Sequence, residues 1–187
     1  MAFDKKKSDY MTEIGDDYIT MGKCLGKGSF GSVDLVRDKR SKKTFAIKRI
    51  LKNHILQNGM GNQVRKEIYI LKNLHHPNIV HIREVLSSPD SLYIVMEYVS
   101  GGELYNIIAL YGSIPESKCI KYTRQICDAL AFCHKLNICH RDIKPQNILI
   151  DANDDIRLID FGFASIMEVL TMWMGRMNLK EACNQIP

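Results

Sequence analysis

The sequence predicts an α+β fold: a complete five-stranded antiparallel lobe with one helix, followed by a mainly helical region. Three observations lead there. Residues 18–97 run as strand, glycine-rich tip, strand, strand, helix, strand, strand, with apolar side chains alternating in the strands. Beyond residue 100 that alternation gives way to helical spacing. A polar loop, His140-Arg141-Asp142-Ile143-Lys144-Pro145-Gln146-Asn147, then leads into the short apolar runs Ile148-Leu149-Ile150 and Ile156-Arg157-Leu158-Ile159.

Taken in order, Tyr18 to Leu25 and Ser32 to Arg37 flank Gly26-Lys27-Gly28-Ser29-Phe30-Gly31 and read as a hairpin with a glycine tip. Glycines there let backbone N–H groups approach phosphate oxygens without a Cβ in the way. The strand-to-helix setting of a dinucleotide fold is missing. Thr44 to Ile50 forms the next strand and carries Lys48. In the helix expected over 62–74, Val64, Ile68 and Leu71 recur on one face, with Glu67 beside it. His75-His76-Pro77-Asn78 ends the helix, and its adjacent histidines do not converge on a metal. Ile79 to Leu86 and Leu92 to Met96 complete the sheet. Leu104, Ile107 and Ile108, then Cys119 to Lys135, mark two further helices. The stripe Ile120, Thr123, Ile126/Cys127, Leu130 and Cys133/His134 reads as core.

Composition narrows the class. Hydrophobic residues make up 45% and charged residues 25%, as in a globular chain. The net charge of +5 is scattered rather than massed, which gives nucleic acid no support as a partner. The opening residues carry no apolar secretory core, Ala2 replaces the glycine that myristoylation needs, and no apolar run spans a bilayer, so no membrane partner is expected. The six cysteines form no Cys-x-x-Cys pair, which fits reduced thiols and a cytoplasmic or nuclear address.

The chemistry concentrates between residues 140 and 162. A loop holding Asp142 and Asn147, with Asp160 at a nearby strand end, suits a site that binds a hard cation and activates a hydroxyl. Hard oxygen ligands select Mg²⁺, which usually travels with phosphates. One Asp in one loop would be an ordinary polar turn. The ordered set His140-Arg141-Asp142 … Asn147 … Asp160-Phe161-Gly162 resembles the catalytic loop and metal motif of the eukaryotic protein kinases. Lys144 is similar to the serine/threonine branch, while Gln146 departs from the Glu common there. The segments 95–104 and 160–164 resemble the calcium/calmodulin-dependent and AMP-activated groups.

That resemblance implies a protein-kinase-like fold: a flexible leader over 1–17, an N-lobe and hinge over 18–99, a partial C-lobe over 100–165 and an atypical tail over 166–187. It implies ATP and Mg²⁺ as cofactors and a Ser/Thr-containing protein as substrate. Asp142 would orient or deprotonate the hydroxyl, and Lys144 would neutralise the γ-phosphate. Asn147 and Asp160 would ligate Mg²⁺, and Lys48, held by Glu67, would clamp the phosphates. Gly26, Lys27, Gly28, Ser29, Phe30 and Gly31 would form the flap over them. Val33, Ala46 and Leu149 would enclose the adenine, and Glu97-Tyr98-Val99 would be its hinge. Met96 would stand at the back and Glu103 at the ribose. Leu71, Ile82, His140 and Phe161 would stack as a spine.

The resemblance runs from about Tyr18 to Ile166. The remaining residues hold no Ala-Pro-Glu, so the sequence is expected to be a form truncated after Asp-Phe-Gly, with impaired catalysis. An ATP-binding pseudokinase or decoy and a non-functional fragment of a longer kinase stay open beside it. The missing support should expose the apolar flank of the 119–135 helix to a protein partner. Ser165 and Thr171 are poorly placed as phosphate donors to Arg141, which is therefore expected to lack the phosphate partner it has in relatives.

Overall fold

A computed structural model describes residues 17–28 and 31–167. Residues 1–16 of the leader, Ser29, Phe30, Thr171, Cys183 and nearly all of the tail lie outside the described residues. The chain divides into two compact units, one of residues up to 61 with 82–98, the other of 62–81 with the residues from 99 onward.

The first unit is a five-stranded antiparallel sheet. β1 (Tyr18–Gly28), β2 (Gly31–Asp38), β3 (Thr44–Leu51), β4 (Ile82–Ser87) and β5 (Ser91–Glu97) stand in the order β1-β2-β3-β5-β4. All five expected strands form, and β1 and β2 meet at the glycine tip, where Gly28 pairs with Gly31. A Cβ at Gly31 would stand 1.7 Å from the Arg49 carbonyl oxygen, so only glycine lets β2 lie against β3 there. Alternation sorts the side chains: Tyr18, Val36, Ile47, Tyr93 and Val95 form a buried cluster, with Phe45 and Leu86 packed on it.

Arg83 closes that cluster. Its guanidinium lies 4.5 Å from the Phe45 ring centre and 5.7 Å from that of Tyr18, and it pairs with the buried Asp38. The Tyr18 hydroxyl donates to Glu84. Asp38 also accepts the Arg40 and Ser41 backbone N–H groups at 2.9 and 2.6 Å. The Ser41 N–H, then the Ser41 hydroxyl and Arg83, hold its carboxyl down at about 2. A depressed carboxylate contributes stability that is complete above its unfolded value of 3.8 and lost as pH falls toward about 2. In acid titrations followed by circular dichroism, Asp38→Asn should be less stable than wild type near neutrality, the difference shrinking between those two values.

A short helix absent from the sequence reading, α1 (Lys52–Gln57), follows β3. It is anchored by its first residue, whose N–H donates to Asp90 O at 2.9 Å and whose Nζ donates to Ser88 O at 2.5 Å. It buries no residue, so it has no apolar stripe for periodicity to detect.

In the second unit, α2 (Gly61–Asn73) buries Val64, Glu67, Ile68, Ile70 and Leu71. The strand expected from Ile79 begins only at Ile82. Ile79 bridges instead to Leu158, and Val80 N–H donates to Leu158 O at 2.9 Å. Asn78, buried, donates from Nδ2 to Ile156 O at 3.0 Å. Asn78→Ala should cost roughly 1–3 kcal/mol in denaturant melts, because it removes a buried hydrogen bond and leaves the Ile156 carbonyl only the Arg157 guanidinium at 3.2 Å.

α3 (Leu104–Tyr111) and α4 (Glu116–Lys135) supply the helical part. The buried residues of α4 are Tyr122, Ala129 and Cys133, so the expected apolar stripe is only partly core. Ile120 is 49% exposed, and with Cys119, Thr123, Arg124 and Cys127 it lines an open hollow. The inner face instead grips a turn at 151–155: Lys118 and Tyr122 bond the Asp154 carboxylate, each at 2.6 Å, and Gln125 bonds Asp155 at 2.6 Å and Ile156 N–H at 3.0 Å. β6 (Ile138–Cys139) pairs with β9 (Ser165–Ile166), and β7 (Ile148–Ile150) with β8 (Ile156–Leu158). No described helix is long and apolar enough to cross a membrane. The five described cysteines are free thiols, and burial pushes that of Cys133 up to about 11.

Candidate active site

The first unit carries one set of the expected residues on one sheet face. Antiparallel partners share a face, and Val33 pairs with Lys48, Lys48 with Ile94, and Ala46 with Met96. Val33, Ala46, Lys48 and Met96 therefore stand together, opposite the Tyr18 cluster. Gly26, Lys27, Gly28 and Gly31 lie at the hairpin end nearest Val33, since Gly26 pairs with Val33 and Lys27 with Ser32. Glu97 ends β5 opposite Phe45, on the other face of the sheet, so its side chain points away from that of Met96. Lys48 and Glu67 fall in different units.

The second unit assembles the polar 140–147 loop. α4 ends at Lys135, and a chain reversal through Asn137 (φ +57°) feeds β6. A single 3₁₀ turn, Pro145–Asn147, with proline at its start, then delivers Asn147 into β7. Asp142 is the hub. Its Oδ2 accepts Lys144 Nζ at 2.7 Å and Asn147 Nδ2 at 2.8 Å, and its carbonyl accepts the same Asn147 amide at 2.9 Å. The Lys144 hydrogen bond above all, then that of Asn147, holds the Asp142 carboxyl below its ordinary value.

His140 sets the loop's orientation from beneath. It is 1% exposed, its Nδ1 accepts the Asp142 N–H at 3.3 Å, and its other nitrogen meets Ile159 O at 3.1 Å. With Nδ1 accepting, Nε2 carries the proton, and burial keeps the ring neutral. Its ring packs tilted at 59° against buried Phe161, centres 4.5 Å apart, which joins two of the expected spine residues; Leu71 is buried in the same unit and Ile82 in the other.

Ile159 N–H donates to Asn147 O at 3.0 Å, which ties the strand end before Asp160 to the loop. Asp160 adopts φ +62°, a left-handed conformation that costs a non-glycine residue about 1–3 kcal/mol and persists only where its surroundings hold it. Its Oδ1 accepts the Gly162 N–H at 3.2 Å. The donor set fits Mg²⁺ accompanied by phosphate. The amide of Asn147 is committed to Asp142, which leaves Asn147 Oδ1 and Asp160 Oδ2 as hard oxygens, and Mg²⁺ is held by one or two such groups with phosphate oxygens completing its shell. Among the described residues no three His, Cys, Asp or Glu side chains gather to hold a metal alone.

Glu103 and Leu149 come together through a backbone bridge, flanked by Gly101 N–H to Ile150 O at 2.8 Å and Ile150 N–H to Gly102 O at 2.9 Å. Val99 is buried in the same unit. Arg141 (φ +67°) donates from Nε to Phe163 O at 2.7 Å, and Ser165 lies in β9 opposite Cys139. One polar residue escaped the sequence reading: Gln63, whose Nε2 donates to Gly162 O at 2.8 Å. Its only signal was its place one helical turn before Glu67.

Residues 19–178 match the family model described as the protein kinase domain. The chain belongs to the protein kinase family. The match extends past Ile166, where the motif-based resemblance stopped. This kinase chain is 42% identical over 146 residues to CBL-interacting serine/threonine-protein kinase 24 of Arabidopsis thaliana, covering 78% of the chain and 33% of that protein. It is 39% identical over 145 residues to CBL-interacting protein kinase 9 of Oryza sativa subsp. japonica, covering 78% and 32%. Against CBL-interacting serine/threonine-protein kinase 13 of Arabidopsis thaliana it is 42% identical over 154 residues, covering 82% and 30%. The kinase chain thus spans about a third of the length of the curated relatives it matches.

Proposed function

We propose that this chain transfers the γ-phosphoryl group of ATP to a serine or threonine hydroxyl of a protein. The observation that carries the reading is the Asp142–Lys144–Asn147 constellation, with Asp160 tied to it through Ile159. Asp142, its carboxyl held below the ordinary value by Lys144 and Asn147, would orient or deprotonate the substrate hydroxyl. Lys144 is 45% exposed, and its surface bond to Asp142 is weak enough to be shared with the γ-phosphate. Asn147 and Asp160 would hold Mg²⁺, which when bound bridges and neutralises phosphate oxygens. Lys48, with Glu67 as the partner that the family resemblance implies, would clamp the α- and β-phosphates under the Gly26–Gly31 flap. Val33, Ala46 and Leu149 would enclose the adenine. Lys144 and the names of the relatives support the serine/threonine class.

Incubation with γ-labelled ATP, Mg²⁺ and a generic Ser/Thr peptide tests this. Label on serine or threonine is expected. Tight Mg²⁺-dependent nucleotide binding without transfer would favour the pseudokinase alternative.

A further inference from the structure

We propose that Gln63 is a positioning residue: a latch from α2 that holds the Asp160-Phe161-Gly162 turn so that Asp160 faces the metal. The inference rests on the kinase reading above and adds a residue to it. Three polar side chains converge on the backbone of Gly162. A Cβ placed there would stand 3.1 Å from Asp160 Oδ1, 3.7 Å from Glu67 Oε2 and 4.0 Å from Gln63 Nε2. Gln63 donates to the Gly162 carbonyl while Asp160 accepts the Gly162 N–H, so one peptide unit on either side of Gly162 is grasped by a side chain.

The turn needs such a grip. Asp160 sits at φ +62°, and a strained residue stays so only where its neighbours over-determine it. Before Asp160 the grip is complete: Ile159 is bonded through its N–H to Asn147 and through its carbonyl to His140. After it, Phe161 is buried, and Ala164 N–H returns to Phe161 O at 2.9 Å. The Gly162 carbonyl is the point where the turn could swing outward, and Gln63, half-buried on α2, occupies it. Glu67 lies one turn further along α2, so the helix that presents Glu67 also fixes the metal carboxylate.

Gln63→Met keeps the side chain's length and its helix preference but removes the donor. Gln63→Lys restores an N–H donor. In nucleotide-free protein, amide exchange across residues 159–165 should rise about tenfold in Gln63→Met, the size expected for one hydrogen bond, with α4 unaffected, and return toward wild type in Gln63→Lys. Unchanged exchange in that segment would overturn the latch. Should Gln63→Met fail to fold, Gln63→Leu, which also lacks the donor and adds no charge beside Glu67 and Asp160, gives the same comparison. In titrations of a fluorescent ATP analogue, Gln63→Met should lose roughly tenfold of the affinity gained on adding Mg²⁺ while Mg²⁺-free affinity stays put. An equal Mg²⁺ gain in mutant and wild type would overturn the positioning of Asp160. A wild type with no Mg²⁺ gain would instead sink the kinase reading, and the exchange result would still judge the latch.

Discussion

Asp142→Asn is expected to lower kcat on a Ser/Thr peptide roughly 10²–10⁴-fold and to leave nucleotide affinity nearly unchanged. The substitution keeps the side chain's shape, so the two bonds to the Asp142 backbone, from Asn147 Nδ2 to its carbonyl and from its own N–H to His140, remain possible. What it removes is the anionic oxygen that Lys144 and Asn147 both address at 2.7 and 2.8 Å. Those bonds hold the wild-type Asp142 carboxyl below its ordinary value. Steady-state kinetics with a parallel nucleotide titration decide it. A variant retaining most of the wild-type kcat would remove Asp142 from the chemistry.

Asp160→Asn should abolish the gain in nucleotide affinity that Mg²⁺ confers and reduce kcat by about 10²-fold or more. Asparagine is the least disruptive probe available there, because it tolerates the left-handed φ of +62° and its carbonyl oxygen can still accept the Gly162 N–H. The lost quantity is then one negative charge facing the cation. Calorimetric titration with ATP, with and without Mg²⁺, separates the outcomes. A preserved Mg²⁺ dependence would mean that the cation is held elsewhere.

Much of this molecule was legible from residue order because its chemistry is local in sequence. Asp142, Lys144 and Asn147 lie within six positions, and a single 3₁₀ turn brings them onto one carboxylate oxygen. The five strands were legible because alternation is a period-2 signal, and they form the antiparallel sheet expected. Arg141, by contrast, is expected from the sequence only to lack the phosphate partner it has in relatives; that it holds the Phe163 carbonyl is not legible there, because a backbone group carries no sequence signature.

The sequence by itself determined the elements and the polar inventory: sheet, glycine tip, the 140–147 loop and the Asp160 carboxylate. Tertiary structure alone decided the contacts between residues far apart in the chain. It gave Ile79 and Val80 to Leu158 rather than to the sheet, because the buried backbone of β8 needed those partners. It turned Ile120 and Cys127 outward while Tyr122 and Gln125 gripped the 151–155 turn, a choice helical spacing cannot make when polar residues supply the anchoring. It also joined Gln63 to Gly162, 99 positions apart, through a bond from a side chain to a carbonyl that every residue possesses. Such a bond leaves no pattern in the sequence, because its acceptor is the backbone and its geometry exists only once α2 and the Asp160 turn are packed.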